Sequence, residues 1–259
     1  MTIKDIIDMA RYPISHASFA EKCRLTLNSE GVLVLEDFIQ PAALKVMLSQ
    51  SKTAQDDAYF CAQNHSIYLT PPDPSFSDDH PANRQVVSSK GCICDDQIEK
   101  DSPLRTLYDD KEFQSFITRV TGQTAVHPYA DPLSSINVHY ANRGQELGWH
   151  FDNSSFAITL LIQKPDAGSV FEYVKEFRDA DANDMNYDGV GDLLDGRLTP
   201  DELSMNPGTL VLFRGRNAIH RVTPNEDDQT RILAVLAYNA EEGVSLSESA
   251  RMTFYGRLG

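Results

Sequence analysis

The second half of the sequence is a succession of short apolar runs rich in β-branched residues, and this feature limits the fold more than any other. Gly, Pro or Asn divides the runs, and most follow one another without an intervening segment of helical periodicity. In chain order they are SSINVHYAN (134–142), AITLLIQ (157–163), GSVFEYV (168–174), GTLVLFRG (208–215) and RILAVLAYN (231–239). Strands that follow strands favour an antiparallel sandwich or jelly roll over a parallel sheet with crossover helices.

The first part of the chain has a different pattern. Apolar positions three and four residues apart predict helices over 16–29, 41–58 and about 103–121. Between the first two of these, GVLVLEDFI (31–39) is a short β-branched run that predicts a strand. Residues 59–100 lack clear periodicity and contain several breakers, which predicts a long loop.

These patterns predict a mostly β protein with some helix, organised as a single domain over residues 1–259. A mainly helical portion (1–122) would pack on a jelly-roll, or double-stranded β-helix, core (123–259). An acidic stretch near 176–204 would be a solvated insertion between core strands. With 41% hydrophobic residues, the chain can bury a sizeable core.

Charge and composition exclude several classes of partner. The net charge of −15 disfavours nucleic acid and anionic membrane surfaces, because both attract basic patches. No apolar stretch approaches the ~20 residues of a membrane helix, and the N-terminus lacks the pattern of a secretion signal. Four cysteines in a chain of this length fit a reducing cytoplasm. We expect a cytoplasmic protein with a small-molecule substrate; a homodimer is compatible with the sequence.

The stretch GWHFDNSSFAITLLIQ (148–163) sets a histidine and an aspartate two residues apart at the end of a predicted strand. Side chains alternate along a strand, so His150 and Asp152 should project together while Phe151 faces the other way. His220, which opens the strand after GTLVLFRG, is the candidate third ligand. Two histidines and one carboxylate, with three open positions, are the ligand set of non-haem Fe(II).

An arginine follows the third candidate ligand at a distance of eleven residues. Arg231 opens the strand RILAVLAYN, and its planar guanidinium suits bidentate capture of a carboxylate. It could hold the far carboxylate of a 2-oxo diacid that chelates the iron. Arg214, Arg216 and Arg221 are competing candidates, although alternation should turn Arg221 away from a metal bound by its neighbour.

The order H-x-D, then a distant H followed by x₁₀-R, resembles the Fe(II)/2-oxoglutarate-dependent oxygenase superfamily over residues 134–240. The resemblance implies a double-stranded β-helix core, iron on His150, Asp152 and His220, and 2-oxoglutarate on Arg231. SSKGCICDDQIEKDSPLRTLY, GWHFDNSSFAITLLIQ, GSVFEYV and LFRGRNAIHRVTP further resemble bacterial enzymes that act on free amino acids, the lysine-type halogenases and their hydroxylase relatives. In the halogenating members a small residue replaces the carboxylate ligand. Asp152 therefore indicates the hydroxylating branch.

What the resemblance implies is an enzyme that uses Fe(II), O₂ and 2-oxoglutarate to hydroxylate an unactivated C–H bond. Its substrate would be a small polar molecule, such as a free amino acid or a derivative, and succinate and CO₂ would be released. Three alternatives stay open. The same chemistry could end in desaturation or cyclisation, a cupin-like enzyme could use another metal, or a jelly-roll protein could bind metal or 2-oxoglutarate as a sensor.

Several further residues are candidates for binding the co-substrate or the substrate, each with a structural alternative. Tyr140 could touch 2-oxoglutarate or be an inward-facing core tyrosine. Asn153 could meet the substrate or cap a turn. Trp149, the only tryptophan, could form a pocket wall or simply pack. Arg84 could bind a substrate carboxylate or be a solvated loop residue.

DMNYDGVGDLLD (184–195) matches much of a calcium-binding loop. However, Gly191 stands where an apolar residue is usual, and Asp195 replaces the bidentate glutamate of such loops. An acidic surface insertion is the better interpretation of this segment.

Overall fold

Helix boundaries follow local capping chemistry. The structure, a computed structural model, describes all 259 residues. Its helices are α1 (Ile3–Ile6), α2 (Ala17–Glu30), α3 (Pro41–Ala54), α4 (Pro103–Asp109), α5 (Lys111–Thr121), α6 (Tyr187–Leu194) and α7 (Glu248–Tyr255). Pro41 occupies the first turn of α3, where its missing N–H costs nothing. Gly122, at a φ of 74°, ends α5 in the left-handed conformation that glycine adopts most easily.

The strands form a single antiparallel sheet that curls back on itself. They are β1 (Val32–Leu35), β2 (Tyr59–Ser66), β3 (Gln85–Ile93), β4 (Ile136–Ala141), β5 (Leu147–His150), β6 (Ala157–Gln163), β7 (Phe171–Val174), β8 (Asp201–Leu203), β9 (Leu210–Phe213), β10 (Ile219–Val222) and β11 (Arg231–Leu236). Neighbouring strands follow the order β1-β9-β6-β11-β4-β3-β5-β10-β7-β8, and β2 is paired to β3. β3 joins two halves of the sheet, because it pairs with β4 near Gly91 and with β5 at Ser88. The major half-sheet comprises β1, β9, β6, β11 and β4, and the minor half-sheet comprises β5, β10, β7 and β8.

Alternation along β11 separates the core from the interior of the curled sheet. Ile232, Ala234 and Leu236 belong to a cluster of 34 buried residues that includes the apolar faces of the N-terminal helices. Leu233 faces the other way, into a second cluster inside the curl that includes Phe213. One face of the major half-sheet therefore carries the helices, and the other faces the interior.

The first part of the chain, residues 1–122, differs from the sequence-based prediction in two places. Residues 59–100 are not one loop, because 59–66 and 85–93 pair as β2 and β3 over eight residues and leave a loop of 67–84. β2 is an exposed and largely polar strand, so the apolar alternation that marks a strand is weak. The helix expected over 103–121 is two helices, because extended Asp110 caps α5 through Phe113 N at 2.9 Å.

The acidic insertion near 176–204 contains α6 and β8. The calcium-like segment is helical, and Asn186 caps α6 by accepting a hydrogen bond from Gly189 N. Asp192 and Asp195 pair with Arg197 at 2.7 and 2.8 Å, so both carboxylates already have a cationic partner. α6 covers the outer face of the minor half-sheet through Val190. None of the seven helices combines the length and apolarity needed to cross a bilayer.

Leu160 on β6 tests whether the helix–sheet layer supplies the stability of the fold. Its side chain is fully buried in the 34-residue cluster. We expect Leu160→Ala to lower the free energy of unfolding by about 2–5 kcal/mol, because it removes buried apolar area and leaves a cavity. Urea denaturation measures this.

Leu25→Ala on α2 is the matched control, because Leu25 is 56% exposed. That change should stay within about 0.5 kcal/mol of the parent. Equal effects of the two substitutions would contradict the assignment of the core to this layer.

Candidate metal centre

Strand pairing brings the three candidate ligands together. His150 ends β5 and His220 lies on β10, and the two residues stand directly opposite each other in the antiparallel pair. Their ring centroids are 4.1 Å apart. Asp152 lies two residues beyond His150, where its backbone N–H donates to Gly215 O at 3.0 Å. One potential ligand atom from each of the three side chains lies within 4.8 Å of the others. The predicted convergence is therefore confirmed.

Backbone carbonyls orient both imidazoles. His150 Nδ1 lies 2.8 Å from Gly148 O, and His220 Nδ1 lies 3.1 Å from Ala218 O. A carbonyl can only accept, so each Nδ1 carries the proton and each Nε2 keeps its lone pair. The Nε2 atoms of His150 and His220 lie 3.8 and 3.6 Å from Asp152 Oδ1. Three electron-pair donors thus face one point.

Burial prepares this point for a cation. The side chains of His150 and His220 are almost fully buried. Burial, followed by the neighbouring His220, holds the pKa of His150 well below its usual value, so this ring is a neutral ligand near neutral pH. Asp152 Oδ2 is buried and has no hydrogen-bond partner. An orphaned carboxylate oxygen beside imidazole lone pairs fits a divalent metal ion, and the N₂O donor set fits Fe(II).

Gly215 makes the position of Asp152 sterically feasible. A Cβ at residue 215 would overlap the carboxylate of Asp152 and would lie 2.9 Å from Cε1 of the His220 ring. The absence of a side chain at this residue lets the main chain after β9 approach both ligands. Sequence analysis did not identify Gly215, because its role depends on contacts that form only in the folded sheet.

Arg231 is a buried cation without an anionic partner. It is 8% exposed, and its guanidinium makes no ion pair and no hydrogen bond with the protein. Burial lowers its pKa to about 10, so it remains protonated near neutral pH. Arg231 and Leu233 occupy the same face of β11, which is the face toward the interior of the curled sheet. An anionic ligand would supply the missing partner.

Two further basic residues near Arg231 escaped the sequence analysis. His139 stands opposite Leu233 and therefore faces the interior, and Lys90 Nζ lies 3.3 Å from both of its ring nitrogens. Burial, followed by the charges of Lys90 and Arg231, holds the pKa of His139 well below its usual value. His139 shares the parity of Asn137 and therefore lies on the opposite face of β4 from Tyr140.

The structure does not bring Tyr140 or Trp149 to the triad. Tyr140 stands opposite Ile232 on the helix-facing side, where its hydroxyl donates to Ser51 O at 2.7 Å. It lines a cavity of about 190 Å³ beneath α3, on the other side of the sheet from the interior. Trp149 packs in the cluster under α6, and the Arg221 guanidinium lies 4.7 Å from its ring centroid. Because side chains alternate along a strand, Tyr140 and Trp149 lie on the opposite face of the sheet from the adjacent interior residues His139 and His150.

The two remaining substrate candidates lie at the surface or close to it. Arg84 Nη1 pairs with Asp195 Oδ1 at 2.6 Å, so a carboxylate already occupies this guanidinium. Asn153 is exposed directly after Asp152. Cys92 and Cys94 are free thiols and join no group of potential metal ligands.

Solved structures share this architecture at low sequence identity. A 2OG-Fe(II) oxygenase family protein from Burkholderia pseudomallei is 12% identical over 87% of this chain and 93% of its own, with a TM-score of 0.53. The epimerase SnoN in complex with Fe³⁺ and alpha ketoglutarate is 10% identical over 86% and 84%, with a TM-score of 0.56. A prolyl hydroxylase from Trichoplax adhaerens is 12% identical over 89% and 92%, with a TM-score of 0.55. A search of curated proteins gave no match.

The curled antiparallel sheet is the fold of these solved structures, and the His-Asp-His triad offers the donor set that non-haem Fe(II) uses. The jelly-roll prediction is confirmed. The family described as Halogenase D matches residues 76–253, and the chain belongs to that family. His150, Asp152 and His220 all lie within the matched region.

Gly215→Ala tests whether the glycine positions the metal ligands. The added methyl group would displace the Asp152 carboxylate, so we expect Fe(II) affinity to fall by on the order of 10–100-fold, as for other residues that support a ligand. Anaerobic titration with Fe(II) measures this.

Gly144→Ala, in the exposed turn between β4 and β5, is the control. Gly144 has a positive φ, 80°, and open space surrounds its Cβ position. This variant should lose some stability and keep the parent Fe(II) affinity. Parent-like affinity in Gly215→Ala would refute the positioning role.

Proposed function

We propose that the protein hydroxylates an unactivated C–H bond of a small polar molecule, a free amino acid or close derivative. The observation that carries this proposal is the Asp152 carboxylate, whose Oδ1 lies within 4 Å of Nε2 of both histidines. When bound, Fe(II) with 2-oxoglutarate and O₂ supplies the oxidising chemistry, which couples decarboxylation to succinate with oxidation of the substrate.

Asp152 supports hydroxylation within a family whose description refers to halogenation. A halide needs a coordination position beside the metal, and a carboxylate ligand occupies one such position. If His150, Asp152 and His220 all bound Fe(II), its remaining positions would be needed for the keto acid and dioxygen, and none would be spare for a halide. The chain's own residues therefore favour oxygen transfer over halide transfer.

Arg231 supports 2-oxoglutarate as the keto acid. It offers two parallel N–H donors inside the curled sheet and has no anion of its own. In this proposal its guanidinium binds the distal carboxylate of the co-substrate, whose keto end chelates the metal. Asn153 is the proposed substrate contact beside Asp152, since its exposed amide has no intramolecular partner. Four free cysteines support function in a reducing cytoplasm.

Arg231→Gln tests the co-substrate site. Losing one partner of a buried charge pair costs about 2 kcal/mol or more, so the dissociation constant of 2-oxoglutarate should rise by roughly 30-fold or more. Anaerobic titration of the Fe(II) protein, monitored by the visible charge-transfer band of the chelate, measures binding without turnover.

Arg214→Gln is the matched control, because Arg214 is a half-buried arginine that donates to Asn28 Oδ1 at 2.7 Å. It should bind 2-oxoglutarate as the parent does. An unchanged band titration in Arg231→Gln would assign the distal carboxylate to another residue.

Product analysis tests hydroxylation directly. The Fe(II) protein, with 2-oxoglutarate, O₂ and chloride, is incubated with each amino acid of a panel. We expect succinate release together with a product heavier by one oxygen atom derived from isotopically labelled O₂. Asp152→Ala should abolish both, because it removes the third protein ligand.

A chlorinated product from the parent protein would contradict the role given to Asp152. A desaturated or cyclised product would keep the oxygenase chemistry and refute hydroxylation. A charge-transfer band without succinate release for any panel member would favour the alternative of a non-catalytic sensor.

A further inference from the structure

A cavity of about 200 Å³ lies between the C-terminal helix α7 and the inner faces of β3 and β4. Lys90, Asn137 and His139 line it from the strands. Phe254 and Tyr255 line it from α7. This volume is large enough to admit a small organic molecule.

The cavity lies on the metal side of the sheet. His139 stands opposite Leu233, which shares the interior face of β11 with Arg231. Cys92 stands opposite His139, and Lys90 has the same parity as Cys92 on β3. The carboxylate of Asp152 is close enough to favour the charged form of Lys90, and Arg231 is close enough to disfavour that of His139. The triad and the cavity therefore share one interior.

Lys90 is the unsatisfied charge of this cavity. Its ammonium has no carboxylate partner, and the His139 ring, 3.3 Å away, is its sole hydrogen-bond partner in the protein. Nζ also lies 5.4 Å from the centroid of the Phe254 ring. Burial lowers the pKa of Lys90. Lys90 is half-buried, and withdrawing a cation from water costs free energy unless an anion or several acceptors compensate; the protein supplies neither in direct contact.

The other polar groups around the cavity already have partners. Asn137 donates to Leu133 O and Ile136 O, and its Oδ1 accepts from the Tyr255 hydroxyl at 2.8 Å. The nearby Asp131 carboxylate accepts hydrogen bonds from Leu133 N, Ser134 Oγ and Leu246 N. No carboxylate in contact with the cavity is therefore left to pair with Lys90, although the chain as a whole carries a net charge of −15; the unpaired oxygen of Asp152 belongs to the metal site.

We propose that this cavity holds the substrate to be oxidised and that Lys90 binds a carboxylate group of that substrate. His139 orients the ammonium, and Phe254 and Tyr255 of α7 form the wall that contacts the remainder of the substrate. The inference rests on the proposed function and requires that the substrate carry a free carboxylate, which excludes derivatives blocked at that group. It gives Lys90 the role that sequence analysis offered to Arg84, whose guanidinium Asp195 already neutralises.

Lys90→Met tests the proposal, because methionine keeps an unbranched side chain at this half-buried position and removes the charge. The holoprotein, with Fe(II) and 2-oxoglutarate under anaerobic conditions, is titrated with free amino acids and with the corresponding amino acid amides. In the parent protein we expect at least one acid to bind ten-fold or more tightly than its amide. In Lys90→Met that preference should disappear.

Two variants serve as controls for charge and for surface lysines. Lys90→Arg retains the cation and should retain the preference for the acid. Lys45→Met, on the exposed side of α3, should behave as the parent does. Thermal unfolding of each variant verifies that it is folded, and Lys90→Gln replaces Lys90→Met if the latter does not fold.

Three results would overturn the proposal. Acids and amides could bind the parent equally, no panel acid could bind, or Lys90→Met could weaken the 2-oxoglutarate charge-transfer band. The last result would place Lys90 in the co-substrate site. Acid-selective binding without an oxygenated product would refute the hydroxylase proposal and leave the role of Lys90 intact. An oxygenated product formed equally from acid and amide would do the reverse.

Discussion

The antiparallel pairing of β5 with β10 is the constraint on which the rest of the site depends. It sets His150 opposite His220, so the two imidazoles lie side by side. Carbonyl groups two residues before each histidine fix the ring orientation, and the turn after β9 fixes the carboxylate of Asp152. A one-residue slip of either strand would send its histidine to the opposite face. The buried face of the minor half-sheet, covered by α6, opposes such a slip.

Two-residue alternation explains both what the sequence predicted and what it missed. The interior positions His150, Asp152 and His220 were identified because their residue types and spacing match a known ligand set, and their convergence is confirmed. The same alternation puts Tyr140 among the helices and His139 in the interior. A polar residue beside an aromatic one gives no sequence signal of which side is buried against helices. The face that each residue of β4 occupies is determined by the pairing of β4 with β11.

The least predictable parts are those in which tertiary contacts outweigh local pattern. β2 is polar and largely exposed, so pairing with β3 rather than apolar periodicity makes it a strand. Lys90 belongs to that hairpin, and its proximity to His139 arises only when β3 lies beside β4. The role of Gly215 cannot be predicted from the sequence either, because it depends on a close approach to Asp152 that any side chain would prevent. The jelly-roll class needed none of these details, since the succession of apolar runs already indicated it.

The contact between Gly215 and Asp152 bears on how this site can change during evolution. Main-chain atoms of Gly215 border one side of the Asp152 carboxylate. Asp152 Oδ2 has no hydrogen-bond partner in the protein, so a shorter residue at this position would leave no donor unsatisfied there. Shortening residue 152 would therefore leave a small vacant volume lined by backbone and imidazole, of a kind that a monatomic anion can fill. Both histidines would keep their carbonyl supports. A single codon could in this way convert the proposed oxygen-transferring site into one that accepts a halide, without repacking of the surrounding sheet.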